Sequence, residues 1–163
     1  MKAYLSGPIE NAENDGASWR QDITLWLKKN LNHKVFNPVI ETKRIIGHRD
    51  ASDFRSMKKT DPIKYKKIIR EIIKLDLEAV INGSDYLIVK WDESVLKGGG
   101  THGEITMAYW IKKPIFIVNS LSIDDMSSWI FSCSDFIFDD FKSLKKKLMQ
   151  LYKGIPNTKR TIK

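Results

Sequence analysis

Apolar positions recur along this chain in two alternating rhythms. Short, nearly unbroken apolar runs stand at 2–7, 34–37, 85–91, 114–119 and 135–138. Gly7-Pro8 ends the first and Pro38 the second, and both are turn signals. Between the runs the spacing is helical. Trp19, Ile23, Trp26 and Leu27 mark a helix over about 17–31, closed by Asn30 and the Asn32-His33 pair. Asp61-Pro62 supplies an N-cap followed by Pro at the first helical position, and Asn82-Gly83 supplies the stop of a long helix between them. Further helical patterns cover 104–111, the segment 122–131 and the terminal stretch 141–152.

Continuous apolar strands alternating with amphipathic helices imply a parallel sheet covered on both faces. The pattern predicts an α/β fold: a single doubly wound domain, flavodoxin-like or Rossmann-like, with a mostly parallel sheet of about five strands over residues 1–152. A basic tail follows at 153–163. Between Val39 and Lys59 no period is sustained, and Lys43, Arg44, Arg49, Asp50, Asp53, Arg55, Lys58 and Lys59 crowd the segment. It reads as a mobile loop with room for a short helix, and loops of that length commonly cover a site. In doubly wound sheets ligands bind outside the carboxyl ends of the strands. Ser6-Gly7-Pro8-Ile9, Asn37-Pro38, Asp92-Glu93 and a glycine-rich segment at 98–103 all fall there, so they are expected to share one cleft.

Composition narrows the function classes. A chain of 163 residues with 42% hydrophobic and 29% charged residues is of the soluble globular kind. No apolar stretch approaches the ~18 residues of a membrane span, and no secretory leader pattern precedes the first strand, so a cytoplasmic protein is expected. One cysteine, Cys133, leaves no intrachain disulfide and no Cys-based zinc cluster. His33, His48 and His102 are scattered without metal-ligand spacing. There is no P-loop and no G-x-G-x-x-G after the first strand, so neither metal nor cofactor is expected. The net charge of +8 resides in 142–163, which holds eight Lys/Arg and no acids. Residues 1–141 carry 20 basic and 20 acidic groups. A charge run confined to a terminal helix and tail argues against a nucleic-acid groove.

The segment Gly98-Gly99-Gly100-Thr101-His102-Gly103-Glu104 is the richest in chemistry. A glycine turn between strand and helix brings backbone N–H groups close to a ligand. A carboxylate in the first helical turn is held ionised by the macrodipole and is available as nucleophile or base. The competing reading is a capping box, in which Thr101 and Glu104 only satisfy orphan helix donors. A second acid, Asp76, falls on the inward stripe of Ile69, Ile72, Ile73, Val80 and Ile81. An ionised group on such a stripe must pair, cap a backbone or reach a cleft. One ionised and one protonatable carboxyl beside a sugar is the apparatus of glycosidic-bond cleavage. Ser6 precedes Gly-Pro rather than lying in a nucleophile elbow.

Four ordered blocks resemble the nucleoside 2-deoxyribosyltransferase family and its relatives, the nucleoside 5′-monophosphate N-glycosidases. They are Tyr4-Leu-Ser-Gly-Pro-Ile9 with Trp19-Arg20; the run from Leu75-Asp76 through Ser84-Asp85 to Val89; Gly100-Thr-His-Gly-Glu-Ile-Thr-Met-Ala108 with Lys113-Pro-Ile115; and Met126-Ser-Ser-Trp129 with Ser134-Asp135. The likeness spans roughly 3–148. It implies Glu104 as nucleophile at the anomeric carbon, with Asp76 near the sugar hydroxyls supporting proton handling. The substrate-facing positions it implies are Ser6, Gly7, Pro8, Ile9, Trp19, Gly100, Thr101, His102 and Gly103. A neighbouring subunit would complete the site with the segment holding Asp125 and Met126, which implies a homodimer or larger homo-oligomer acting on a small-molecule nucleoside or nucleotide. Family transferases often carry an aspartate six residues before the nucleophile, where this chain has Gly98; Asp92 or Glu93 would then serve from a longer loop. Should Arg20, Arg44 or Arg49 reach the cleft, a 5′-phosphate would be bound. The expected function is transfer of a 2-deoxyribosyl group between nucleobases. Hydrolysis of (deoxy)nucleoside 5′-monophosphates and a non-catalytic nucleotide-sensing module are the alternatives.

Overall fold

The computed structural model describes residues 1–10, 12–47 and 51–154, with 51–53 described by backbone alone. The basic tail expected at 153–163 therefore lies outside the described residues beyond Gly154, as do His48 and Arg49.

Five parallel strands form one sheet in the order β2-β1-β3-β4-β5: β1 Lys2–Ser6, β2 Lys34–Phe36, β3 Tyr86–Trp91, β4 Ile115–Asn119 and β5 Phe136–Phe138. Tyr4 pairs in register with Phe36 on one side and Leu87 on the other, and Ile88 continues the ladder to Phe116. This is a flavodoxin-like α/β arrangement.

The strands read as unbroken apolar runs because both of their faces are covered. Tyr4, Leu87, Val89, Trp91, Ile115 and Ile117 pack into one core cluster. Their alternates Ala3, Leu5, Tyr86, Ile88, Phe116 and Val118 pack into another. That alternation is the period-2 geometry of a strand. Helices α1 (Ala17–Leu31) and α7 (Phe141–Tyr152) cover the second face through Trp19, Ile23, Leu27, Leu144 and Leu148. Helices α4 (Pro62–Ile81), α5 (Gly100–Trp110) and α6 (Ser128–Cys133) cover the first through Val80, Ile105 and Ile130.

The segment expected as a loop at 39–59 is mostly helical: α2 spans Pro38–Ile46 and α3 spans Ala51–Thr60. Pro38 does not merely end β2. Asn37 Oδ1 accepts from Val39 N at 3.1 Å and Pro38 opens α2. The same device starts α4, where Asp61 accepts from Lys64 N at 3.0 Å ahead of Pro62. The 122–131 region is a 3₁₀ turn at Ile123–Asp125 followed by α6, rather than one helix. The strand order reverses at β1, with β2 added on one side and β3 on the other, which opens a crevice at the carboxyl ends of β1 and β3.

Candidate active site

β1 carries Tyr4 and Ser6 two residues apart, hence on the same face. Both hydroxyls donate to one carboxylate on α5. Tyr4 Oη–H reaches Glu104 Oε1 at 2.7 Å, and Ser6 Oγ–H reaches Oε2. The Tyr4 ring is held by Phe36 of β2, stacked at 5.2 Å. Helix α5 begins at Gly100, a full turn earlier than the apolar pattern suggests, so Glu104 lies in the second turn. Gly99 stands at the N-cap and no side chain caps the helix. The capping-box alternative is thus not realised, because both Glu104 oxygens face β1.

Burial, and not the helix dipole, dominates the state of this carboxyl. Glu104 is 9% exposed, and desolvation raises its pKa against the pull of Ser6, Tyr4 and Arg20 toward the ionised form. Asp76 of α4 stands beside it. Burial and then the Glu104 charge push Asp76 up to about 7, opposed by the Tyr4 hydroxyl and Arg20. Its Oδ1 is buried and has no hydrogen-bond partner among the described residues. Two neighbouring carboxyls with raised pKa titrate as a pair, one holding a proton while the other is charged.

The loop after β1 is fixed from beneath by Arg20. Its guanidinium donates to five carbonyls: Nε to Leu5 O, Nη2 to Gly7 O, and Nη1 to Pro8 O, Asp15 O and Gly16 O. Burial lowers its pKa to about 10, where it remains a cation. Gly16, at φ +66, lies against this group; a Cβ there would come within 2.6 Å of Arg20 Nη1. Gly7, at φ +153, has the Trp19 ring where a Cβ would meet it at 3.0 Å.

Above these carboxylates opens a cavity of about 550 Å³, within the range of small-molecule sites. Its floor is Glu104, Asp76, Thr101 and the glycine loop; one wall is Gly7-Pro8-Ile9-Glu10. The opposite wall is apolar, from Val39 and Ile46 on α2, Phe54 on α3, and Ile69, Ile72 and Ile73 on α4. The apolar stripe of the front half of α4 therefore lines the cavity, while Val80 goes to the core. A Cβ on Gly98, Gly99 or Gly100 would meet no protein atom within 4 Å, so these glycines answer no packing demand and leave room toward the cavity.

The fold brings Ser6, Gly7, Pro8, Ile9, Asp76, Gly100, Thr101 and Glu104 together at this cavity. It places the other expected residues elsewhere. Trp19 packs beside Phe141 at 5.7 Å on the far face of the sheet. His102 and Gly103 line a separate shallow hollow with Trp110 and Trp129. Asp92 receives Lys90 Nζ at 3.0 Å and accepts from Ser94 N. Met126 is buried in its own core, and Asp125 is exposed on the 3₁₀ turn. Of the arginines considered for a phosphate, Arg20 spends its donors on carbonyls and Arg44 pairs with Glu41 at 2.8 Å on the surface. Tyr4, Lys43, Arg55, Asp15 and Tyr65 are further site residues that the motifs did not single out. Tyr4 was detectable, since it shares a strand face with Ser6. Among the described residues no group of three His, Cys, Asp or Glu could hold a metal ion, and no helix is long and apolar enough to cross a membrane.

Two solved structures share this architecture over most of their length. One is the 2-deoxyribosyltransferase of Bacillus psychrosaccharolyticus, 16% identical with a TM-score of 0.62, covering 89% of this chain and 90% of that one. The other is a CMP N-glycosidase of Clostridium botulinum, 18% identical with a TM-score of 0.55, covering 93% and 99%. The chain shares the fold of both. No family model matches the sequence, and no curated protein matches it significantly. At these identities the likeness speaks for architecture, and the chemistry rests on the site itself.

Proposed function

We propose that this protein cleaves the N-glycosidic bond of a nucleoside or nucleotide through a glycosyl-enzyme intermediate on Glu104, and transfers the 2-deoxyribosyl group to a second nucleobase. The observation that carries the reading is the Tyr4–Glu104–Ser6 bridge beside a protonatable Asp76 at the floor of an apolar-walled cavity. The two enzymes that share the fold act, by their names, on N-glycosides of this kind.

In the first step a Glu104 oxygen attacks the anomeric carbon. The C–N electron pair leaves with the base, which takes a proton from the neutral Asp76 carboxyl. Tyr4 and Ser6 hold the nucleophile in place and favour its ionised form. In the second step a nitrogen of the incoming base attacks the anomeric carbon, its proton returns to Asp76, and Glu104 is released. The apolar wall of Val39, Ile46, Phe54, Ile69 and Ile72 supports transfer over hydrolysis, because a base held there displaces water.

The alternative is release of the same intermediate to water, with a (deoxy)nucleoside 5′-monophosphate as substrate. Assembly with a second copy presenting Asp125 near the site belongs to the same proposal. Exposed Trp110 on α5 and Trp129 on α6, which border one surface hollow, support such an assembly, since exposed apolar patches mark contact surfaces.

The test is incubation with deoxynucleosides and their 5′-monophosphates, with and without a second free base, followed by chromatography. A new nucleoside that forms only with the added base establishes transfer. Free base and sugar, or sugar phosphate, formed regardless of acceptor would establish hydrolysis instead. No turnover by any panel member removes the catalytic reading for these substrates and leaves a binding module.

A further inference from the structure

The cavity continues well beyond the carboxylates. Tyr65 lies eleven residues before Asp76 on α4, about 16 Å along the helix axis at 1.5 Å per residue. At that end the Phe54 ring meets Tyr65 at 5.2 Å and fixes α3 against α4. The next residue, Arg55, points across the opening to the β1–α1 loop, where Nη2 donates to Asp15 Oδ1 at 2.7 Å. Both side chains border the cavity, and both remain partly open, at 38% and 26%.

Asp15 is held in this place at some cost. Its φ of 52 is in the left-handed region that non-glycine residues rarely occupy. Its carbonyl is one of those gripped by Arg20. Backbone strain that the surroundings over-determine collects at functional positions. Arg55 gives one guanidinium N–H to Asp15, and the planar fork carries five N–H groups in all. Asp15 Oδ2 receives no side-chain donor among the described residues. The pair therefore presents a row of donors next to an acceptor at the end of an apolar slot. The cavity lining also carries Glu10 and Lys43, one charge of each sign.

We propose that Asp15 and Arg55 read the polar edge of the base, and that the base they select is a 6-oxo-2-aminopurine, that is, guanine. Guanine alone among the common bases sets two adjacent acceptors, O6 and N7, beside two adjacent donors, N1–H and the 2-amino group. An arginine fork matches the first pair and a carboxylate matches the second. Ile69, Ile72 and Phe54 supply apolar surface for the ring, and the cavity has room for a purine. This inference rests on the reading of the cavity as a nucleoside site, and it names the base.

Binding tests it without turnover. Calorimetry on Glu104→Gln, with deoxyguanosine, deoxyinosine, deoxyadenosine, deoxycytidine and thymidine as probes, separates recognition from catalysis. Deoxyguanosine is expected to bind on the order of tenfold tighter than deoxyinosine, which lacks only the 2-amino group. Asp15→Asn in the same background abolishes that difference, and Arg55→Gln weakens both purines relative to thymidine. Melting temperatures confirm that each variant is folded. Equal affinity for deoxyguanosine and deoxyinosine, tighter binding of a pyrimidine, or a preference that survives both substitutions each overturns the assignment. Selective guanine binding with no glycosidic turnover in the wild type would leave the base assignment standing and remove the proposed reaction.

Discussion

Tyr4 and Glu104 are 100 residues apart in the chain, and their oxygens are 2.7 Å apart in the fold. The hydroxyl donates to a carboxylate that burial pushes toward neutrality, so this bond works against desolvation to keep Glu104 ionised. Tyr4→Phe removes the donor and retains the ring on Phe36. Without it the Glu104 pKa moves further up, and the acidic limb of the pH–rate profile of kcat/KM shifts to higher pH. A loss of roughly ten- to a hundredfold in kcat/KM is expected at neutral pH, in line with one charge-assisted hydrogen bond. Steady-state assays across pH 4–9 check it; an unmoved limb would show that the bond does not tune the nucleophile.

Glu104→Gln keeps the size of the side chain and removes the proposed nucleophile. Turnover is expected to fall by at least about 10³-fold, while the thermal midpoint stays level or rises because a buried charge is gone. Mass spectrometry of the wild type quenched during turnover should show the mass of a pentosyl adduct, absent from the variant. Full activity in the glutamine variant sinks the assignment.

Asp76 affects stability as well as rate. Its folded pKa of about 7 lies above the value near 3.8 that it has when unfolded. Folding therefore favours the protonated form. That contribution is complete below about pH 4 and is lost as pH rises through 7, and its size is on the order of 4 kcal/mol. Asp76→Asn should flatten the stability curve between pH 4 and 8 and leave the variant more stable than wild type at pH 8. Its rate profile should lose the basic limb near pH 7, where the proposed general acid deprotonates. Urea unfolding at four pH values measures the first effect, and pH-dependent kinetics the second.

His33 acts in the opposite sense at the other end of the sheet. It is buried against Tyr86, with Nδ1 and the Tyr86 hydroxyl oxygen 2.9 Å apart, and burial lowers its pKa to about 4. Folding favours the neutral ring, so its contribution is present above pH 6.5 and is lost as pH falls toward 4. His33→Gln should reduce the loss of stability on acidification through that window, read as a shallower fall of the urea midpoint.

Arg20→Lys is predicted to destabilise by about 2–4 kcal/mol, although it conserves charge. An ammonium has three donors on one centre and cannot serve five carbonyls spread over a planar fork. Substrate affinity should fall alongside the thermal midpoint, since the wall from Gly7 to Glu10 loses its anchor.

The sheet was legible because its strands are apolar on both faces and its helices are not. The same periodic signal put Asp76 where a charge does not belong, and the glycine segment pointed at Glu104. What escaped the sequence lies mainly in the wall opposite. Asn37-Pro38 is the same helix-start signal as Asp61-Pro62, yet it follows a strand directly and reads as the strand's end. α2 and α3 turn part of their apolar surface toward a cavity rather than toward a core, so neither shows a continuous buried stripe. Trp19 and Arg20 sit beside the cleft loop in the motif, but α1 points them beneath it. The pairing of Arg55 with Asp15 spans 40 residues, and no local pattern records it.

The five carbonyls around Arg20 treat its guanidinium much as a cation-binding loop treats an ion, except that the ion is tethered and never leaves. The ordering of that wall is completed when the protein folds, before any ligand arrives. Adaptation to ligands of different shape then falls to α2 and α3, which face it. Changes in the shape of ligand accepted, whether by natural drift or by directed selection, should accumulate at Val39, Ile46 and Phe54 and, Asp15 apart, spare the stretch from Leu5 to Arg20. A library confined to those three positions is the shortest route to new pairings of sugar and base.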